Sequence, residues 1–109
     1  MSDDQRIDIP LTELAKTAMV VRSVGGREIV VCRTKNGLHA LDNICTHAYA
    51  RLNEGRLRGM QLICPLHGAS FDVRDGRALG GPASHPLPTH TIHVVGNCVQ
   101  VTVVAVDLP

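Results

Sequence analysis

Four residues in the middle of the chain have the side chains and the spacing of a metal site. They form two pairs, Cys45-Thr46-His47 and Cys64-Pro65-Leu66-His67, with sixteen residues between them. Thiolate and imidazole are ligands that zinc and iron–sulfur centres take from proteins. The first spacing cannot share one helix face, and Pro65 followed by Gly68 interrupts a helix over the second. We therefore expect both pairs to lie in loops that surround one metal centre.

Zinc is one alternative for such a site. A zinc finger supplies two cysteines and then two histidines in chain order, whereas this chain alternates the two residue types. The alternation disfavours a finger, and a zinc-binding interaction module is the alternative to a redox centre. The remaining histidines lie outside the two pairs, and we expect structural or solvated roles for them. They are His39, His85, His90 and His93.

The composition predicts the fold that must position these loops. The 109 residues suffice for one small core, so we assign residues 1–109 to a single domain. Thirteen valines stand against one phenylalanine, one tyrosine and no tryptophan, and β-branched side chains favour strands. We therefore expect an all-β fold, a small antiparallel barrel or sandwich of about eight or nine short strands.

Turn signals divide the chain into these strands. Gly25-Gly26 separates two apolar runs that should form a hairpin, Asn36-Gly37 predicts the next tight turn, and Gly96-Asn97 predicts the last one. Leu11 to Ala15 can form one helical turn at most. The glycine- and proline-containing stretch from Gly80 to Ala83 predicts an irregular loop, because proline cannot occupy a central strand.

Charge and cysteine usage limit the function classes. A formal net charge of +1 gives no evidence for a nucleic-acid partner. The first residues include acids where a signal peptide begins with basic residues, and no apolar run approaches the roughly 20 residues that cross a bilayer. We expect a cytoplasmic protein with no membrane partner, whose cysteines are metal-bound or free. Cys32 and Cys98 fall in apolar strand patterns, which predicts buried thiols.

The two pairs and their flanking residues resemble the Rieske proteins, whose signature is Cys-x-His followed by Cys-x-x-His. The segment from Asp42 to Arg51 is similar to the small Rieske-type ferredoxins of bacterial aromatic-ring-hydroxylating dioxygenase systems. The segment from Cys64 to Asp72 and the Gly81-Pro82 loop are similar as well. The resemblance covers nearly the whole chain.

The resemblance implies one [2Fe–2S] cluster per chain. Cys45 and Cys64 would bind one iron, and His47 and His67 the other. Replacing two thiolates by neutral imidazoles removes negative charge, which raises the potential above that of an all-cysteine cluster. The resemblance also implies a Rieske-like cluster-binding subdomain over about 43–83, inserted in a basal β domain and covered by a third, proline-containing loop.

Four neighbouring residues imply a low potential within this class. High-potential respiratory Rieske proteins have an extra cysteine in each ligand loop, at the positions of Ala50 and Leu66, and hydroxyl donors at the positions of Ala69 and Phe71. Because a donor stabilises the more negative reduced cluster, its absence lowers the potential, and we expect a midpoint below about 0 mV. The residues expected beside the cluster without binding it are Leu66, Ala69, Phe71, Gly81 and Pro82.

The implied function is one-electron transfer. Such a protein takes electrons from an NAD(P)H-dependent ferredoxin reductase and passes them to a terminal aromatic-ring-hydroxylating oxygenase, docking transiently near His47 and His67. It is not an enzyme, since the sequence supplies no mononuclear iron site and no set of catalytic groups. The alternative with the same cluster is the small subunit of an assimilatory nitrite reductase. Two interpretations remain open for the charged residues around the site: a solvated face, or a basic rim that docks an acidic partner surface. These residues are Arg51, Glu54, Arg56, Arg58, Arg74 and Arg77.

Overall fold

The fold is almost entirely antiparallel β-structure. It is seen in a computed structural model that describes residues 5–46, 50–66, 68–81 and 85–104. The elements in these ranges are β1 (Gln5–Pro10), α1 (Leu11–Lys16), β2 (Met19–Val24), β3 (Arg27–Thr34), β4 (Gly37–Asp42), a 3-10 turn (Leu52–Glu54), β5 (Arg56–Arg58), β6 (Gln61–Ile63), β7 (Ser70–Asp72), β8 (Ala78–Gly80), β9 (Thr89–Val95) and β10 (Cys98–Val103).

Six strands form one sheet in the order β1-β10-β9-β4-β3-β2, with every neighbouring pair antiparallel. The edge strands β1 and β2 come into contact. At one end of this contact, a Cβ built on Gly25 in the β2–β3 turn would lie 2.4 Å from Oε1 of Gln5. Gly25 has φ of 56°, a left-handed conformation that favours glycine in this turn. The sheet is therefore a nearly closed barrel, and the predicted all-β antiparallel fold is confirmed.

Four shorter strands form a second antiparallel sheet in the order β5-β6-β7-β8. All four lie between β4 and β9 in the chain. Residues Leu57, Leu62, Phe71 and Ala78 are successive cross-strand partners, and they point to one face. Because side chains alternate along a strand, this face is the apolar one and the opposite face carries polar residues.

Two hydrophobic cores share the β3 strand. Val30 and Cys32 pack with the apolar face of the small sheet, including the fully buried Phe71. Ile29 and Val31 point the other way, into the barrel. Each fully buried residue of this size stabilises the fold by about 1.5–3 kcal/mol relative to exposure in water. The small sheet is thus held against the outer face of the barrel wall.

The β1–β2 connection is a helix of six residues, Leu11–Lys16, which is longer than the predicted single turn. Pro10, with φ of −61°, precedes its first residue, and Thr17 in the extended region ends it. Its one buried residue, Leu14, packs into the barrel core. This tertiary packing stabilises the helix and cannot be seen in the local sequence. Among the described residues, no helix is long and apolar enough to cross a membrane.

The hairpin turns at Gly25-Gly26 and Gly96-Asn97 are confirmed, and the turn at Asn36-Gly37 is displaced by one residue. β3 ends at Thr34 and β4 begins at Gly37, which pairs with Thr34, so the turn residues are Lys35 and Asn36. The boundary of the predicted 80–83 loop is also wrong by one residue, because Gly80 ends β8.

Candidate metal centre

Each of the two cysteines begins a loop, and a backbone hydrogen bond closes each loop. The Cys45 N–H donates to the carbonyl oxygen of Ala50 at 2.8 Å, and the Cys64 N–H donates to that of Ala69 at 2.7 Å. Both bonds span five residues, so the two ligand loops have the same closure. Cys45 and Cys64 therefore lie in loops, as predicted, and each loop returns to the position of its own cysteine.

The fold brings the two cysteine side chains together at the edge of the core beside the small sheet. Cys45 is 1% exposed and Cys64 is 3% exposed, and their thiols are in contact. Burial raises the pKa of the Cys64 thiol, a hydrogen bond from the Leu66 backbone opposes the rise, and the Cys45 thiol adds to it. The other two predicted ligands, His47 and His67, lie outside the described residues.

The flanks of the third loop contact both ligand loops. Gly81 has φ of 77°, and a Cβ there would lie 2.8 Å from Cα of Ala69 in the second ligand loop. On the other side, the Thr46 hydroxyl donates to the carbonyl oxygen of His85 at 2.9 Å. Pro82 lies outside the described residues. The role of Thr46 is not visible in the sequence, because its contact joins residues 39 positions apart.

The residues predicted beside the cluster have two environments. Ala69 and Phe71 are fully buried in the same core as the two cysteines. Ala50 is partly buried against that core, whereas Leu66 is 48% exposed. Leu66 is therefore an apolar side chain in water, next to the predicted ligand His67.

The predicted basic rim is largely neutralised by carboxylates. Nε of Arg51 donates to both carboxylate oxygens of Glu28, at 3.0 and 3.1 Å. Arg74 donates two side-chain hydrogen bonds to Asp72, and Arg77 lies 3.6 Å from the same carboxylate. The Arg74 hydrogen bonds are the main reason that the pKa of Asp72 falls to about 2.

Two basic side chains at the site make no ion pair within the described part of the chain. They are Arg56 and Arg58, which point to the polar face of the small sheet. A groove of about 310 Å³ begins beside Arg56 and reaches the second ligand loop at Cys64 and Pro65. The basic surface that remains is therefore smaller than predicted, and it borders this groove.

The other cysteines and histidines are not part of the ligand loops, although the His85 carbonyl oxygen accepts from Thr46 and Cys32 shares a core with both ligand cysteines. Cys32 is fully buried, as predicted, and burial raises the pKa of its thiol to about 12. Cys98 is only partly buried, on the outer face of β10, so its predicted burial is only partly correct. His39 bonds to the Thr34 hydroxyl at 3.2 Å, and burial lowers the pKa of its imidazole.

The buried His90 has a structural role, as predicted. Its Nδ1 accepts from the Val104 N–H at 3.0 Å, so Nε2 carries the proton and donates to Asp42 at 2.8 Å. Arg27 donates to both Asp42 and the Val104 carbonyl. This closed set of hydrogen bonds fixes the end of β4 close to the first ligand loop.

The described residues fit a metal centre that takes two thiolates. Cys45 and Cys64 present adjacent sulfur atoms in a site almost free of solvent, and no disulfide joins them. Burial raises the pKa of the Cys64 thiol, and a bound cation would supply the charge that allows the two cysteines to act as thiolate ligands. The two loops carry their histidines two and three residues further on, so each loop can add one imidazole.

Comparisons with known proteins identify this arrangement. The Rieske [2Fe-2S] domain family matches residues 7–91. The ferredoxin component of the naphthalene 1,2-dioxygenase system of Pseudomonas aeruginosa is 33% identical over 93 residues, which are 85% of this chain and 89% of that protein.

Two solved structures share the fold over nearly the whole chain. The ferredoxin of carbazole 1,9a-dioxygenase from Nocardioides aromaticivorans IC177 is 28% identical with a TM-score of 0.82, over 95% of this chain and 100% of that one. The ferredoxin in a complex of reduced oxygenase and oxidized ferredoxin of carbazole 1,9a-dioxygenase is 26% identical with a TM-score of 0.84, over 94% and 97%.

These similarities confirm the resemblance to dioxygenase ferredoxins, which are electron-transfer components and not catalytic enzymes. The family description also gives the cofactor, a [2Fe–2S] cluster. The family match covers residues 7–91, and the two buried cysteines that begin the ligand loops are in contact. The chain therefore belongs to the Rieske [2Fe–2S] domain family.

Proposed function

We propose that this protein carries single electrons to a terminal aromatic-ring-hydroxylating oxygenase, using a cluster held by Cys45, His47, Cys64 and His67. The observation that carries the proposal is the meeting of Cys45 and Cys64 in two equivalently closed loops. The similarity to dioxygenase ferredoxins over most of the chain supports it. When bound, the cluster supplies one-electron redox chemistry.

The chain's own residues provide the ligands and exclude water. Cys45 and Cys64 would hold one iron, and His47 and His67 would hold the other. Ala69 and Phe71 are fully buried in the core that contains the two cysteines, and they help to exclude water from it. The cluster-binding part is residues 43–83, which contain all four ligands and the small sheet, inserted between β4 and β9 of the barrel.

Docking takes place at the ligand loops, near His47 and His67. The exposed Leu66 supports this surface, because an exposed apolar side chain is suited to a small interface that forms and dissociates quickly. One relative is known in complex with its oxygenase, which supports an oxygenase as the acceptor. An NAD(P)H-dependent ferredoxin reductase is the electron donor, and the site of action is the cytoplasm.

The experiment is visible absorption and EPR spectroscopy of the purified protein before and after dithionite. We expect two iron and two sulfide per chain and an EPR signal only after reduction. Substituting His47→Cys or His67→Cys should change the signal towards that of an all-cysteine cluster, while the exposed His93→Cys should leave it unchanged. A colourless, EPR-silent protein with one zinc per chain would overturn the proposal in favour of a zinc module.

Electron transfer is tested with the reduced, spectroscopically intact protein. Mixing it with oxidised terminal oxygenase from the same cells should reoxidise it, and Leu66→Ala, which adds no hydrogen-bond donor, should slow this second-order step without changing the EPR signal. Stable co-purification with a large flavoprotein nitrite reductase, and no reaction with the oxygenase, would instead support the small-subunit alternative.

A further inference from the structure

A four-residue segment, Leu52 to Gly55, connects the bases of the two ligand loops. It consists of the 3-10 turn Leu52–Glu54 and the glycine that follows. One end contacts the residues before Cys45, and the other contacts the residues on either side of Cys64. We call Leu52 to Gly55 the spacer segment.

The first end of the spacer segment is held by Asn43. This side chain is fully buried, and all of its polar groups are bonded. The backbone carbonyl oxygen of Asn43 accepts from the Leu52 N–H at 2.7 Å. Its amide oxygen accepts from the Asn53 N–H at 2.9 Å, and its amide nitrogen donates to Oδ1 of Asn53 at 2.8 Å. Asn43 is two residues before Cys45, so these bonds tie the spacer segment to the first ligand loop.

Asn43 is itself anchored to the barrel. Its N–H donates to the carbonyl oxygen of Glu28 at 2.8 Å, and its amide nitrogen lies 3.2 Å from the Glu28 carboxylate. Arg51 binds the same carboxylate from the other side of the loop. Because Glu28 belongs to β3, the first end of the spacer segment is fixed to a strand of the barrel wall.

The second end of the spacer segment is Gly55, which lies directly on the backbone before Cys64. A Cβ on Gly55 would be 1.9 Å from the Ile63 carbonyl oxygen and 3.0 Å from the Pro65 nitrogen. The φ of Gly55 is −90°, outside the left-handed region, and this close approach leaves no room for a β-carbon here. The next residue, Arg56, pairs with Ile63 in the small sheet, which maintains the contact.

The hydrogen bonds that close the two ligand loops cannot set the distance between them, because each lies within one loop. The spacer segment contacts both. We propose that Asn43 and Gly55 act as positioning residues, which set the separation of the Cys45 and Cys64 sulfur atoms through the spacer segment. This inference rests on the proposed function, in which both cysteines bind one iron.

Gly55→Ala tests the proposal, with Gly80→Ala as the matched control. A methyl group at position 55 meets the Ile63 carbonyl, whereas a Cβ at Gly80 would lie 3.6 Å from Oγ of Ser70, an ordinary contact. For Gly55→Ala we expect altered g-values in the reduced EPR spectrum and at least tenfold faster loss of iron to a chelator. Gly80→Ala should match the wild type in both measurements.

A second variant keeps the test decisive if Gly55→Ala does not fold. Asn53→Ala removes the oxygen that accepts from the Asn43 amide and adds no atoms to the core. It should also change the g-values, while Asn97→Ala in the exposed β9–β10 turn should not. Circular dichroism establishes that each variant is folded.

The outcomes separate this inference from the proposed function. A wild-type protein without a [2Fe–2S] signal would overturn the proposed function. A normal wild-type signal, with Gly55→Ala and Asn53→Ala spectra that superimpose on it, would overturn only the role of the spacer segment. A folded Gly55→Ala protein that cannot retain iron, beside a normal Gly80→Ala protein, would support that role.

Discussion

The hydroxyl of Thr46 donates a hydrogen bond to the carbonyl oxygen of His85 at 2.9 Å, which joins the first ligand loop to the end of the third loop. The bond therefore opposes separation of these two loops. Thr46→Val keeps the shape of the side chain and removes the donor. A typical hydrogen bond contributes about 1 kcal/mol.

We therefore expect Thr46→Val to lose its cluster about fivefold faster than the wild type in the presence of an iron chelator, since 1.4 kcal/mol corresponds to a factor of ten. The decay of visible absorbance measures this rate. Thr46→Ser retains the hydroxyl and is the control. Equal rates for the valine and serine variants would show that the bond does not retain the loop.

Gly81→Ala should destabilise the contact between the third loop and the second ligand loop. The substitution places a β-carbon in the left-handed region, at φ of 77°, and 2.8 Å from Cα of Ala69. We expect a cost of about 2 kcal/mol or more, which lowers the melting temperature and speeds cluster loss. Gly80→Ala, one residue earlier and without either problem, should behave as the wild type does. A Gly81→Ala protein as stable as Gly80→Ala would contradict this account of the third loop.

The Asp72 carboxylate gives the fold a defined dependence on acid. Its side chain is 4% exposed and its pKa is lowered to about 2, first by the hydrogen bonds from Arg74. A pKa lower in the folded than in the unfolded state stabilises the fold above the unfolded value, near 4. The stabilisation is lost as pH falls from there through the folded value.

Asp72→Asn should therefore reduce the free energy of unfolding by about 1–2 kcal/mol at neutral pH, a figure reduced for solvent screening because both arginine partners are more than half exposed. Denaturant unfolding at a series of pH values measures the difference, which should shrink below about pH 4. Asp8→Asn, at an exposed carboxylate of β1, should change stability little at any pH. A difference for Asp72→Asn that stayed constant down to pH 2 would argue against the ion pairs as its source.

The predicted low potential can be tested at Ala69. A serine hydroxyl at this buried position would donate towards the cluster and stabilise its reduced form, so Ala69→Ser should raise the midpoint by roughly 60 mV, the value for a tenfold change in a one-electron equilibrium. Voltammetry measures the midpoint, which we expect below about 0 mV in the wild type. Ser70→Ala, on the opposite face of β7, is the control and should leave the midpoint unchanged. A wild-type midpoint well above 0 mV would contradict the interpretation of Ala69 and Phe71.

The sequence predicted the parts of the fold that depend on local chemistry. The ligand spacing gave the two loops, and glycine turns gave the β2–β3 and β9–β10 hairpins at their observed positions. The strands β5, β6 and β8 were missed, because three residues such as Arg56–Arg58 are too few to show a period. Their stability comes from Leu57 and Leu62 packing on the barrel wall, which is a tertiary contact.

The parts of the site that were missed depend on residues far apart in sequence. Asn43 was unremarkable in the sequence, since only the fold buries it and brings Asn53 and Glu28 to its amide. The basic rim was overestimated for the same reason. Counting arginines ignored the carboxylates of Glu28 and Asp72, which the fold places against Arg51, Arg74 and Arg77.

Successive side chains of β3 point alternately into the two hydrophobic cores. This alternation determines where the chain tolerates changes in length. A one-residue insertion within β3 would exchange the side chains that face the barrel with those that face the small sheet, and would move Val30 and Cys32 away from the ligand cysteines. The same insertion in the exposed Gly25-Gly26 turn would leave the register of both strands intact. Circular permutation or tagging of this protein is therefore best directed to the Gly25-Gly26 turn, which precedes β3, and not to β3 itself.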